Sequence, residues 1–353
     1  MDVELFNFDL PEDRIALRPA NPRDSAKLLQ VKNGDISDHS IGDLPQLLRA
    51  GDVLVLNETR VLRACLKGVR RARAHGGGGD VRIGINLHKC LSDHEWRAFA
   101  RPAKRLKDGD KIQFSETLNA VVFDKFDGGD IGLRFSVSGA ALEREIEQAG
   151  EMPLPPYIAR KRAVDDRDDV DYQTVFATEK GSVAAPTAGL HFTPALFKRL
   201  EANGIEIVRL TLHVGAGTFL PVSHANTDDH KMHSEWFSID GDVAERINLA
   251  KAEGRRVIAV GTTALRALES SVGADNQLIA QNADTEIFIT PGYRYKIVDG
   301  LLTNFHLPKS TLFMLVSALA GLETMQNAYN YAISEKYRFY SYGDTSLLWR
   351  GSL

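Results

Sequence analysis

The hydrophobic period of the chain changes twice. From Arg63 to about Gly150 short alternating runs broken by glycine follow one another: VRIGINL, EWRAFARP, DKIQFSE, NAVVFDKF and IGLRFSVS. Runs of this length and period predict an antiparallel β domain, a barrel or a sandwich, with Gly76 to Gly79 as a flexible turn between two strands. The first helical pattern there is ALEREIEQAG at 141 to 150, and the proline-rich EMPLPPYIAR that follows reads as a stiff return linker. Outside this segment apolar strands alternate with amphipathic helices, the pattern of an α/β core. The strand DVLVLNETR leads into Asn57, Thr59 and Arg60, a place where α/β proteins put ligand-facing groups. Thr193 caps a helix opened by Pro194 and ended at Gly204, and IEIVRLTLHV at 205 to 214 reads as a buried strand. Asp242 and Glu245 resemble a capping box, RRVIAVGTT runs into the helix TALRALESS, Leu312 to Leu322 reads as a core helix, and YRFYSYGD at 337 to 344 as a closing strand.

Two segments depart from these patterns. PTAGLHFT at 186 to 193 and TLHVGAGTF at 211 to 219 use Gly, Ala, Thr and His where an ordinary fold places charged surface or aliphatic core. Small residues let backbone approach a ligand, and each segment carries one imidazole, His191 and His213. Each histidine is either an acid-base group or a hydrogen-bonded structural residue. Gly215 and Gly217 form a GxG, but Leu220 stands where a third glycine would complete a dinucleotide fingerprint, so a Rossmann site is discounted. Thr262, Thr263 and Arg266 fall at a strand end and helix start, where amides and a hydroxyl meet an anion, or where a threonine simply caps the helix.

Composition narrows the classes. The 353 residues are enough for two domains, and 43% hydrophobic with 25% charged residues is a soluble globular balance. Two cysteines, Cys65 and Cys90, make no disulfide framework, and the acidic start MDVELFNFDLPEDR lacks a signal-peptide pattern, so a cytoplasmic protein without membrane association is expected. The net charge of −4 hides an asymmetry: Arg63 to Asp110 holds 12 Lys or Arg against 5 Asp or Glu, a balance of +7 that leaves −11 elsewhere. Such a distribution suits either a confined nucleic-acid footprint or a solvated strand surface. Arg101, Lys104, Arg105 and Lys107 are four bases in seven residues, suited to phosphate contacts. His230, His233 and Glu235 can be read as a two-His, one-carboxylate metal set, yet HKMHSE is not HExxH and no second cluster has ligand spacing.

The strings NETRV, MPLPPYI, YQTVFA, GSVAAPTAGLHFT, TLHVGAGTF, HKMHSEW, VIAVGTTALRALES, TNFHLPKSTL and YRFYSYGD, in that order, resemble the S-adenosylmethionine:tRNA ribosyltransferase-isomerase family of queuosine biosynthesis across essentially the whole chain. The resemblance implies a discontinuous α/β domain, 1–62 with 151–353, and a small antiparallel β-barrel inserted at 63–150. It implies transfer and isomerisation of the ribosyl group of S-adenosylmethionine onto the aminomethyl-deazaguanine at the tRNA wobble position, giving epoxyqueuosine-tRNA with release of adenine and methionine. S-adenosylmethionine is then a co-substrate, no metal or other cofactor is expected, and the enzyme is expected to act as a monomer.

Because a sulfonium acidifies the adjacent ribose 5′ carbon, the reaction needs a general base, and an acid to help adenine depart. His191 and His213 are the leading candidates, with Glu235 and His233 behind them. Thr187, Gly189, Gly215, Gly217, Thr262, Thr263 and Arg266 would line the S-adenosylmethionine pocket, and Arg101, Lys104, Arg105, Lys107 and Arg160 would meet tRNA. The chain departs from the family pattern at Cys65, where a base is usual, at Arg82, where an acid is usual, and at Thr345, where a small apolar residue is common. Two rival readings are a metal-dependent hydrolase built on His230, His233 and Glu235, and a non-catalytic tRNA-binding protein.

Overall fold

The computed structural model describes residues 1–73, 78–215, 222 and 224–351. They form two compact units. The first comprises Met1–Thr59, Val170–Glu179 and Pro186–Leu353, and the second Arg60–Asp169 with Lys180–Ala185. The boundaries differ from those expected, since 60–62, 151–169 and 180–185 belong with the β unit. The extended chain after 151 breaks into the short helices Pro156–Ala159 and Asp168–Asp171 in place of one plain linker.

The first unit is built on a nine-stranded mixed sheet. Its centre is four parallel strands in the spatial order Glu206–Leu212, Val53–Asn57, Val257–Val260, Gly300–Asn304. The strands Val53–Asn57 and Val257–Val260 read as continuous apolar runs because both of their faces are buried. Antiparallel strands flank this centre: Glu235–Ile239 and Gln281–Thr285 on one side, Thr345–Trp349 on the other. The closing strand is therefore Thr345–Trp349, and 337 to 344 is a bridge and turn, a correction to the pattern reading. Leu54, Leu56, Ile258, Val260 and Leu302 form one face and pack on Leu196 and Leu200 of the helix Pro194–Ala202. That helix starts as its sequence dictates, with Thr193 Oγ1 accepting the Leu196 N–H at 3.1 Å, and ends before Gly204 at φ +70°. The opposite face carries helices Gly241–Ala252 and Thr262–Ser270. The first of these takes Asp240 as its N-cap rather than a box of Asp242 and Glu245, and Asp242 pairs with Arg246 instead.

The second unit is a closed six-stranded antiparallel barrel, in the order Cys65–Arg70, Val81–Cys90, Glu95–Arg101, Asp130–Phe135, Asn119–Lys125, Lys111–Gln113. Closure comes from pairing of Lys111–Gln113 back onto Cys65–Arg70, and Gly150–Glu151 adds a short edge. The inward positions Leu66, Ile83, Ile85, Leu87, Ile112, Val122, Ile131 and Leu133 fill the interior. The closing seam needs a residue without a side chain. A Cβ on Gly68 would lie 2.7 Å from Ile112 Cγ2, 2.8 Å from Phe114 and 2.9 Å from the Gln113 carbonyl. Gly68→Ala is therefore expected to destabilise the barrel by about 1–3 kcal/mol in denaturant unfolding. Gly84→Ala in the neighbouring strand, whose nearest contact is 3.8 Å away, serves as the tolerated control.

Candidate active site

The four parallel strands end together at one edge of the sheet, in Leu212, Asn57, Val260 and Asn304, and α/β sheets hold ligands at such carboxyl edges. Asn57 is buried there with its hydrogen-bonding capacity filled. Its Nδ2 donates to the Leu212 carbonyl at 2.8 Å and to Thr263 Oγ1 at 3.3 Å, and its Oδ1 accepts from the N–H groups of Leu212 at 3.0 Å and Thr59 at 3.2 Å. One side chain thus ties two strand ends to the start of helix Thr262–Ser270. The sequence marks Asn57 as ligand-facing, whereas the structure uses it to frame the edge.

His213 follows directly on strand Glu206–Leu212. Thr59 Oγ1 lies 2.8 Å from His213 Nδ1 and 3.4 Å from the Glu179 carbonyl; when the hydroxyl donates to that carbonyl it accepts from Nδ1–H, and the Nε2 lone pair is then unclaimed among the described residues. The imidazole stacks on Trp236 with centroids 4.9 Å apart and planes at 24°. Burial pushes its pKa down to about 4, so the ring is neutral at physiological pH. His191 lies in the 3-10 turn Thr187–His191 and is managed differently. Thr187 Oγ1 donates to Asn304 Oδ1 at 3.0 Å, which orients the amide so that Nδ2 faces His191 Nε2 at 3.3 Å. Nε2 is therefore an acceptor and Nδ1 carries the proton. Burial again lowers the pKa to about 4, against the opposing pull of Asp344. The two histidines stand at the ends of strands Glu206–Leu212 and Gly300–Asn304, with two strands between them.

Glu235 and Arg266 form a buried ion pair through Oε2 and Nη1. Glu235 Oε1 also accepts the Gly215 N–H at 2.9 Å, so the carboxylate fixes the loop that follows His213. Arg266 Nε reaches the Ile287 carbonyl at 3.4 Å, and Nη2 has no hydrogen-bond partner among the described residues. Thr262 and Thr263 are buried at the helix start, where Gly261 at φ +89° is the N-cap and no side chain caps the first amides. The alternative of threonine capping does not apply. A Cβ on Gly261 would approach Ala188 to 3.5 Å, which brings the 187–191 turn beside this helix start. Thr187, Thr262, Thr263, Gly215 and Arg266 are thus distributed along one sheet edge. Gly189 instead packs beneath it: its Cβ would meet Phe176 at 2.7 Å. Gly217 lies outside the described residues.

His233 is exposed, and His230 meets Phe288 edge-on at 5.3 Å. With both Glu235 oxygens engaged by Arg266 and Gly215, the three do not form a donor set, and no cluster of metal-ligating type occurs among the described residues. In the barrel unit Arg71, Arg73, Arg97 and Lys67 are paired with Asp80, Asp110, Asp130 and Glu151. Arg101, Lys104, Arg105, Lys107 and Arg160 are exposed and enter no ion pair among the described residues. Cys65 is half-buried on a barrel strand, Arg82 is exposed, and the Thr345 hydroxyl donates to the Thr303 carbonyl at 2.9 Å, which gives that departure a structural use. Asn304 and Trp236 lie in the TNFHLPKSTL and HKMHSEW strings without a role that the pattern alone gives them; for Asn304 the signal is a polar residue at a strand end.

The family described as queuosine biosynthesis protein matches residues 3–348. The chain is 62% identical over 351 residues to the S-adenosylmethionine:tRNA ribosyltransferase-isomerase of Maricaulis maris, covering 99% of each. It is 56% identical over 360 residues to the protein of the same name from Phenylobacterium zucineum, covering 99% of this chain and 100% of that one. Among solved structures, the S-adenosylmethionine tRNA ribosyltransferase of Thermotoga maritima superposes with a TM-score of 0.55 at 29% identity, covering 98% of this chain and 99% of that chain.

A third buried histidine tests the electrostatics of the edge. His306 Nε2 shares a 3.2 Å hydrogen bond with Thr303 Oγ1, and burial lowers its pKa to about 3. Unfolded, it titrates near 6.5, so between pH 6.5 and 3 the unfolded chain binds the extra proton and stability falls as pH falls. His306→Leu is expected to cost about 1 kcal/mol at pH 7 through the lost hydrogen bond, yet to lose less further stability than wild type between pH 7 and 4.5 in urea unfolding. Equal losses would remove His306 from the acid response.

Proposed function

The chain belongs to the queuosine biosynthesis protein family, and we propose on that premise that it is an S-adenosylmethionine:tRNA ribosyltransferase-isomerase. Its substrates on this reading are S-adenosylmethionine and a tRNA carrying the aminomethyl-deazaguanine at the wobble position. The ribosyl group is transferred and isomerised, the product is epoxyqueuosine-tRNA, and adenine and methionine leave. The observation that supports the reading best is the pair of neutral imidazoles at the carboxyl edge, each held through one ring nitrogen by a neighbouring hydroxyl or amide.

His213 is assigned as the general base. Its ring is neutral above about pH 4, so it does not repel the sulfonium, and Nε2 is the nitrogen with a lone pair to accept the ribose 5′ proton. His191 presents Nδ1–H as a hydrogen-bond donor, suited to the departing adenine. Glu235 acts through Gly215 and Arg266 rather than on the substrate, and exposed His233 carries no step. Thr187, Thr262, Thr263 and Arg266 surround the place where S-adenosylmethionine would lie. On the barrel, Arg101, Lys104, Arg105, Lys107 and Arg160 are free to neutralise tRNA phosphates.

Incubation with S-adenosylmethionine and tRNA bearing the precursor base is expected to release adenine and methionine together, dependent on that tRNA; release of neither from folded protein would end this reading. His213→Gln should lower kcat by about 10²-fold or more with the fold intact. Turnover within a few-fold of wild type would remove His213 as the base. Charge reversal at Lys104 and Arg105 should weaken tRNA binding and flatten its salt dependence, while unchanged affinity across salt concentrations would take both residues out of the interface.

A further inference from the structure

Trp236 is out of keeping with its surroundings. The chain has three tryptophans, and Trp96 and Trp349 are 6% and 7% exposed, whereas Trp236 is 40% exposed. It is nevertheless held rigidly. It sits on strand Glu235–Ile239, its carbonyl accepts the His213 N–H at 2.9 Å, and one face of its ring is covered by the His213 imidazole at 4.9 Å. The imidazole is held in turn by Thr59. Ser234 Oγ, two residues before, donates to Asp284 Oδ2 on the next strand at 2.7 Å and pins the strand entry.

Strand alternation decides what this indole can serve. Glu235 and Phe237 are buried on the side of the sheet where Glu235 meets Arg266 of helix Thr262–Ser270. Trp236 therefore points to the opposite side, together with His213, which faces it across the pair of strands. Gly215 and Arg266 gather on the Glu235 side, whereas Trp236 shares its side with His213, so the indole adjoins the reacting base rather than the Arg266 end of the expected S-adenosylmethionine site. Its face is also open, unlike the enclosing pockets that bury most of a small ligand. Along strand Glu206–Leu212 the same side carries Arg209, exposed and only loosely paired with Glu58 at 3.9 Å.

A rigid, half-exposed indole backed by a neutral aromatic ring, at the sheet edge that holds the acid-base groups and with an arginine on the same side, has the chemistry of a nucleobase stacking platform. We propose that the outer face of Trp236 stacks the purine-type wobble base of the acceptor RNA, and that His213 positions the indole as well as serving the reaction. This rests on the reading of the chain as a tRNA-modifying enzyme. The flat ring chemistry would equally describe the adenine of S-adenosylmethionine, and the openness of the site and its orientation favour the RNA base.

Trp236 is the most exposed indole, so acrylamide quenching of intrinsic fluorescence reports on it. Three probes separate the sources: S-adenosylmethionine alone, an anticodon stem-loop RNA with a purine at the wobble position, and the same RNA with that position abasic. The purine RNA is expected to shield the quenchable component, the abasic RNA to bind without shielding, and S-adenosylmethionine to leave quenching unchanged. Trp236→Phe should remove the quenchable component and, because a phenyl ring still stacks, raise KM for tRNA less than Trp236→Ala does. Trp236→Ala should raise KM for tRNA by roughly 5-fold or more, the scale of one lost base stack, with kcat and KM for S-adenosylmethionine within a few-fold. Shielding by S-adenosylmethionine alone would assign the indole to adenine and overturn the proposal. RNA binding without shielding would overturn it while leaving the tRNA reading standing, and failure of wild-type protein to bind any RNA would overturn both.

Discussion

The site depends on four parallel strands ending in register at one edge, and Asn57 is what holds that register. A parallel ladder leaves the last amide and carbonyl of each strand without partners, and buried orphans cost about 1–3 kcal/mol each. Asn57 answers the N–H and the carbonyl of Leu212 with one side chain, then spends its remaining capacity on Thr59 and Thr263. Thr59 in turn fixes His213, and Thr263 opens helix Thr262–Ser270, whose Arg266 meets Glu235. The positions of the base candidate, the helix start and the ion pair therefore trace back to one primary amide. An acid cannot replace it, because a carboxylate has no hydrogen to give the Leu212 carbonyl.

The same edge separates charge from reactivity. Its ionised groups are paired: Glu235 with Arg266, and Asp344 with Arg338 at 2.8 Å. Among the described residues its three histidines, His191, His213 and His306, have no carboxylate at hydrogen-bond distance, and burial drives them neutral. On the proposed reading, a neutral base suits a cationic sulfonium substrate, since an imidazolium would both repel the sulfonium and lack a lone pair. Burial weakens the base as it neutralises it, however, and the compensation has to come from the substrate. On that reading, a sulfonium brought against the imidazole lowers its basicity further, so the compensation lies in the acidity that the sulfonium confers on the carbon losing the proton.

Much of this was legible in the sequence where a residue's local surroundings decide its structure. Thr193, Pro194 and Gly204 bound their helix because capping chemistry is local, and alternating runs announced the β unit because a barrel buries every second residue. Closure of that barrel was implied only by family resemblance, since the pairing of Lys111–Gln113 with Cys65–Arg70 joins distant segments. Long-range partners also decided the misreadings. YRFYSYGD has strand composition, but Tyr337 meets Phe305 edge-on and Phe339 packs tilted against it from a bridge and turn, and the strand forms after it. Asn57 had the position of a ligand-facing group, and only the placement of Leu212 beside it, from a strand some 150 residues away in sequence, shows it to be consumed internally. Trp236 was invisible as a site because exposure is not written in composition.

Charge in the barrel follows the same logic. The excess of Lys and Arg between Arg63 and Asp110 would suggest a uniformly basic surface, yet much of it is neutralised within the unit by Asp80, Asp110, Asp130 and Glu151. Asp110 takes two hydrogen bonds from Arg73 and the Lys107 N–H, so it shapes the very turn that presents Lys104, Arg105 and Lys107. The acid in this segment is thus a structural brace whose charge is already met, and the exposed bases on the turn keep theirs. Phosphate attraction is set by unneutralised exposed charge, so the short run from Arg101 to Lys107 outweighs the larger number of bases around it.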